Sequence, residues 1–164
     1  MAFYDFMHWI HVLSMIVILG GYVFLAAFWL PVLRRSGEDV RVRVHFLART
    51  LRPFFTTVVL ALMLLILTGG LYLLPPAYRA FGAGDEPALA AFHLTLIIKL
   101  ASVFVVALLV PMQLFGMAFR ITRMDAGIYP LDAVAVQRVT GRMQVVSWII
   151  IALLVLTVVL SMRL

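Results

Sequence analysis

The stretch FMHWIHVLSMIVILGGYVFLAAFWLPVL, residues 6–33, decides the fold. It contains no Asp, Glu, Lys or Arg, and it exceeds the roughly 20 apolar residues a helix needs to cross the hydrocarbon core of a bilayer. Three more charge-free runs follow, at residues 53–78, 100–119 and 143–162. They leave little of the 164-residue chain for anything else. With 65% hydrophobic residues and a mean hydropathy of +1.14, a water-soluble globule is excluded, because its surface could not hide that much apolar area. In hydrocarbon the backbone N–H and C=O groups must be satisfied within the segment, and these runs are too long for tilted strands. The expectation is an all-α integral membrane protein, an antiparallel four-helix bundle forming one domain over residues 1–164, with helices at about 6–33, 50–76, 88–119 and 138–162.

The charges report topology rather than nucleic acid. Thirteen Lys and Arg against seven Asp and Glu give a net charge of +6, but six of the arginines fall in residues 34–52 and four in residues 120–142. Such excess marks cytoplasmic connections, which places both termini outside and fits a multi-pass protein of a bacterial inner membrane. The basic loops suit anionic lipid headgroups, so the bilayer is the expected partner and no nucleic-acid role is expected. Asp5 stands where a secretory signal would be basic, so the first span is read as retained. Pro31, Pro75-Pro76, Pro87 and the Gly127-Ile128-Tyr129-Pro130 segment punctuate the helix ends. The chain has no cysteine, which excludes disulfides, thiolate metal sites, iron–sulfur clusters and covalent c-type haem attachment.

Ionisable groups inside the spans carry the functional reading, because at membrane depth they are costly and face the bundle interior. His8 and His11 are three residues apart, which turns them toward one face of the first helix near its outer end. His93 lies near the outer end of the third helix, which starts on the same side. Neutral imidazoles converging from two helices can ligate a b-type haem, and His11 and His93 are the favoured pair. Anchoring in the headgroup zone is the alternative for each histidine alone. Lys99 shares a polar stripe with Thr95 and Ser102 and asks for an anionic partner, such as a porphyrin propionate, unless it snorkels outward. Arg49 and Arg52, at the mouth of the second helix, could bind carboxylates bidentately. Gly20-Gly21 and Gly69-Gly70 allow close approach of a neighbouring helix or of a flat cofactor, and Gly21 is the cofactor candidate. Zinc lacks a closed ligand set. Copper has nine methionines to draw on but no clustered Met motif, so most of these read as core residues.

The order of these features resembles a known superfamily. The first helix, the arginine-rich approach LARTLRPFFTTVVLALMLLILTGGLYL, the third-helix segment FHLTLIIKLASVFVVALLV and the last-helix segment GRMQVVSWIIIALLVLTVVL are similar to the group joining HemJ-type protoporphyrinogen oxidases to copper-resistance D (CopD) membrane proteins. The resemblance covers nearly the whole chain through short motifs. His11, Gly20 or Gly21, and Pro31 match the first-helix pattern of the HemJ branch, Arg49 and Arg52 its basic pair, and Lys99 its third-helix KL motif. The resemblance implies His11 as haem ligand or catalytic group and Lys99 as porphyrin contact, with Arg52 also engaging the acidic substrate. After Pro31 the chain reads LPVLRRSGED in place of the branch's Arg-Leu-Phe-Val-Tyr-His-like continuation. The expected function is that of a haem b membrane oxidoreductase passing electrons to an acceptor such as quinone, with protoporphyrinogen IX as the most specific substrate. Copper transport through His8, His11 and Met15 is the alternative, as is a non-enzymatic subunit of a larger membrane complex or homo-oligomer.

Overall fold

A computed structural model of the chain describes residues 2–75 and 86–161. Pro76 of the Pro75-Pro76 pair lies outside the described residues, as does the side chain of Pro87. The described residues are helical with no strand. Four helices are long and apolar enough to cross a membrane, over Phe3–Arg35, Val40–Tyr72, Phe92–Asp125 and Ala133–Ser161. The protein is therefore a multi-pass membrane bundle in contact with lipid.

Helix α1 runs through Ala2–Val23, a π turn at Phe24–Trp29 and Leu30–Arg35. Helix α2 comprises Val40–Leu67 and a π turn at Thr68–Leu73. Helix α3 comprises Glu86–Pro111, a π turn at Met112–Ala118 and Phe119–Asp125. Helix α4 is Ala133–Ser161. Every helix extends beyond its expected start or end. The largest correction is at α2, which begins at Val40 rather than near residue 50, because Val44, Leu47, Ala48 and Leu51 recur at helical spacing and are buried while Arg41 and Arg49 are exposed. Reading the arginines as a loop missed that apolar stripe.

Local chemistry sets the ends at the arginine-rich side. After α3, Gly127 adopts φ +73°, and the N–H groups of Gly127 and Ile128 return to the carbonyls of Met124 (3.1 Å) and Arg123 (2.9 Å), a Schellman closure. Asp132 caps α4 by accepting from the N–H groups of Val134 (3.0 Å) and Ala135 (3.3 Å). His45 on α2 pairs with Asp125 on α3 at 3.0 Å, which ties the two helices at this end.

Helix α1 packs on α2 and α4, and α3 packs on α4 and α2, so α1 and α3 stand across the diagonal. Contact between α2 and α3 is concentrated at Phe119–Asp125, whereas Glu86–Pro111 leans mainly on α4. Among the described residues the α2–α3 seam is thus tight at the arginine-rich end and loose at the other. The core joins Ile18, Tyr22, Phe55, Met143, Ile150 and Leu154, all fully buried. Aromatic and branched side chains such as Phe28, Phe104 and Phe115 point outward, as expected where the solvent is lipid. Gly21 lets α1 close on α2: a Cβ there would lie 3.3 Å from the Phe54 ring.

Polar side chains link the helices where the α-helical ladder is interrupted. Gln144 of α4 donates to the Ala26 carbonyl in the first π turn at 2.9 Å. Gln113, within the third π turn and fully buried, donates to the Met143 carbonyl (2.9 Å) and to Ser147 Oγ (3.1 Å). Tyr22 is buried edge-on against Phe54, with ring centroids 5.8 Å apart, and its hydroxyl has no hydrogen-bond partner. An unpaired buried hydroxyl costs about 1–3 kcal/mol. Tyr22→Phe is therefore expected to raise stability by about 1 kcal/mol in detergent unfolding, while Gln144→Leu lowers it by about 0.6 kcal/mol, the average for an interhelical bond in a membrane.

Candidate functional site

The residues with chemistry gather at the end of the bundle opposite the arginines. His11 lies about 12 Å of helix inside Phe3, taking 1.5 Å per residue. Lys99 on α3 lies within electrostatic reach of the His11 ring, so the two groups share one level near this end of the bundle. Both His11 and Lys99 are half-buried, whereas His8 is exposed. The stripe on α3 turns inward at Ser102, which is buried and donates to the Ile98 carbonyl at 2.8 Å, so Lys99 belongs to an interior-facing row.

His11 is held by the π turn that ends α2. Its Nδ1 lies 3.0 Å from Thr68 Oγ1. Thr68 has one hydroxyl proton, and the 2.6 Å contact with the Leu64 carbonyl takes it. Thr68 can therefore only accept from the imidazole. In the neutral ring Nδ1 carries the hydrogen and Nε2 keeps its lone pair. This is the arrangement found where a histidine ligates a metal, its other nitrogen donating to an oxygen that fixes tautomer and orientation.

Gly69 completes the cradle. A Cβ at that position would stand 2.9 Å from His11 Cε1, closer than real side chains come, so the Cε1 edge of the imidazole takes the space that a side chain would fill. Sequence reading noted the Gly69-Gly70 pair as a place of close approach; the partner is a histidine ring. Thr68 was not anticipated. Its only sequence signal is a hydroxyl next to that glycine pair in an apolar run.

The other expected residues are dispersed. His93 is half-buried on α3, diagonal to α1, with its ring centroid 6.0 Å from that of Phe92. Gly21 serves the α1–α2 contact described above. Arg49 and Arg52 are exposed on α2, and Arg52 is about 24 Å of helix from Thr68, so neither joins His11 and Lys99 in one cluster. Among the described residues no group of three or more His, Cys, Asp or Glu could hold a metal. Of the described methionines, Met124 and Met143 are in the core, Met15 and Met117 pack against it, and Met63 and Met112 are exposed. No family model, curated protein or solved structure matches the chain.

The tautomer assignment is directly testable. In protein labelled with 15N-histidine, the His11 signals are expected to show a protonated Nδ1 and an unprotonated Nε2 near neutral pH. Thr68→Val should abolish that preference while leaving the helical circular dichroism unchanged.

Proposed function

We propose that the protein is a membrane redox protein that binds a b-type haem through Nε2 of His11. One observation carries the reading: an imidazole inside the bundle whose Nδ1 lies 3.0 Å from a Thr68 oxygen that itself donates to the Leu64 carbonyl, so the lone pair falls to Nε2. The donor chemistry fits haem iron, which takes a neutral imidazole nitrogen as an axial ligand. Bound haem would supply one-electron oxidation and reduction at the level of His11. Lys99, at the same depth and on the other side of the loose α2–α3 seam, would offer its ammonium to a propionate, which suits a cation that is otherwise costly in a membrane. Thr68 and Gly69 would set the ring's azimuth, with Gly69 excluding any side chain from the space it occupies. His93 is the candidate second ligand.

The finer version is HemJ-like oxidation of protoporphyrinogen IX, with electrons leaving to a quinone, in a bacterial inner membrane with both termini outside. It rests on the sequence resemblance and on the charge distribution of the loops. The separation of Arg52 from Lys99 favours Lys99 alone as the acidic side chains' partner at the histidine end.

Absorption spectra of the detergent-purified protein, oxidised and dithionite-reduced, together with a pyridine haemochrome assay, test the proposal. The expected result is a reducible b-type Soret spectrum near one haem per chain, lost in His11→Ala and retained in the exposed variant His8→Ala. Thr68→Val is expected to keep the haem with a shifted reduction potential, since it changes what His11 Nδ1 donates to. A colourless protein from haem-replete cells would overturn the proposal.

A further inference from the structure

A second polar feature lies at the opposite end of the bundle. The last turn of α1, the first turns of α2 and the first turns of α4 enclose a cavity of about 150 Å³. Arg34 and Arg43 line it from α1 and α2, Gln137 borders it on α4, and Leu30, Leu33 and Leu47 form its apolar side. We propose that this cavity is a binding site for a phosphate group, held between the two guanidinium groups.

Three observations converge on an anion. First, neither arginine has a carboxylate partner: among the described residues the ion pair found is His45 with Asp125. The nearest acidic residue in sequence on α4, Asp132, spends both oxygens on capping that helix. Second, Arg43 Nε is buried with no hydrogen-bond partner, an unmet donor on a charged group and therefore among the more costly to leave so. Third, the polar wall does not meet that demand: Gln137 and Thr140 line the cavity, yet neither accepts from Arg43 Nε, which has no partner. Two guanidinium forks in one recess match the several acceptor oxygens of a phosphate.

The size and lining narrow the ligand. A volume of about 150 Å³ is well below the roughly 300–1,000 Å³ of pockets that take larger organic ligands, so a nucleotide does not fit and a single phosphate group does. The leucine side continues the cavity toward the apolar bundle, the geometry of a basic recess between spans that takes a lipid headgroup. A lipid phosphodiester and free phosphate share this chemistry. The site is separate from His11 and does not depend on the haem reading.

Native mass spectrometry of the whole protein in a neutral detergent, titrated with phosphatidylglycerol or with diacylglycerol of the same acyl chains, which lacks the phosphate, tests the proposal. One saturable phosphatidylglycerol adduct is expected, weakened about tenfold or more in Arg34→Gln and in Arg43→Gln, the effect of losing a hydrogen bond to a charged group. Arg41→Gln, a loop-side arginine that does not line the cavity, should bind as the unmodified protein does. Arg34 is exposed at the end of its helix, so Arg34→Gln retains the fold, as circular dichroism will check, even if Arg43→Gln does not. Competition by millimolar inorganic phosphate would assign the site to the free anion, and its absence to the lipid headgroup; either supports phosphate recognition. Equal binding of the two lipids with no displacement by phosphate, or equal weakening by Arg41→Gln and Arg34→Gln, would overturn the proposal.

Discussion

A backbone group that leaves the helical ladder inside hydrocarbon has no water to turn to, and this constraint shapes the polar chemistry of the protein. Three of the four helices contain a π turn, and a side-chain hydrogen bond reaches a neighbouring helix at each of them. At the first, Gln144 satisfies a backbone carbonyl; at the third, Gln113 reaches across to α4; at the second, Thr68 receives His11. Two of these links fasten α4 to its neighbours in the middle of the bundle. The remaining one orients an imidazole, and it is the link with a chemical rather than a purely structural use.

That difference follows from what each link leaves over. Gln113 spends both amide donors, and Gln144 the donor of its one bond, on holding helices together. His11 has two ring nitrogens, and the cross-link uses one of them. The same interaction that satisfies Thr68 therefore presents a second nitrogen in a defined tautomer. Lys99 stands at the same depth on a helix that has drawn away from α2 at this end, so the charge and the imidazole share a region where the bundle is least tightly closed.

Much of this was legible in the sequence. Charge-free runs determine four spans because length and apolarity alone decide whether a segment can cross a bilayer. His11 and Lys99 stood out because ionisable groups are rare at that depth. What the sequence hid depends on long-range contact. Thr68 is one of several hydroxyl residues in apolar runs, and only the fold brings it against His11 across 57 positions. Gly21 and Gly69 look alike in sequence, yet one admits a phenylalanine ring and the other a histidine. His45 finds Asp125 across 80 positions. The start of α2 was misplaced because its arginines mask a buried stripe one residue in three or four.

The helices are long for the solvent they cross. Spans of 33, 33, 34 and 29 residues correspond to about 44–51 Å of α-helix, against a hydrocarbon core of about 30 Å. The excess must stand in the headgroup layers or be absorbed by leaning the helices over. A bilayer that thickens or thins by a few ångströms therefore slides the water boundary along these rods instead of breaking their contacts. Lipid composition then becomes a mechanical variable, one that decides how deeply each end of the bundle sits and in which of a cell's membranes the chain fits with least distortion.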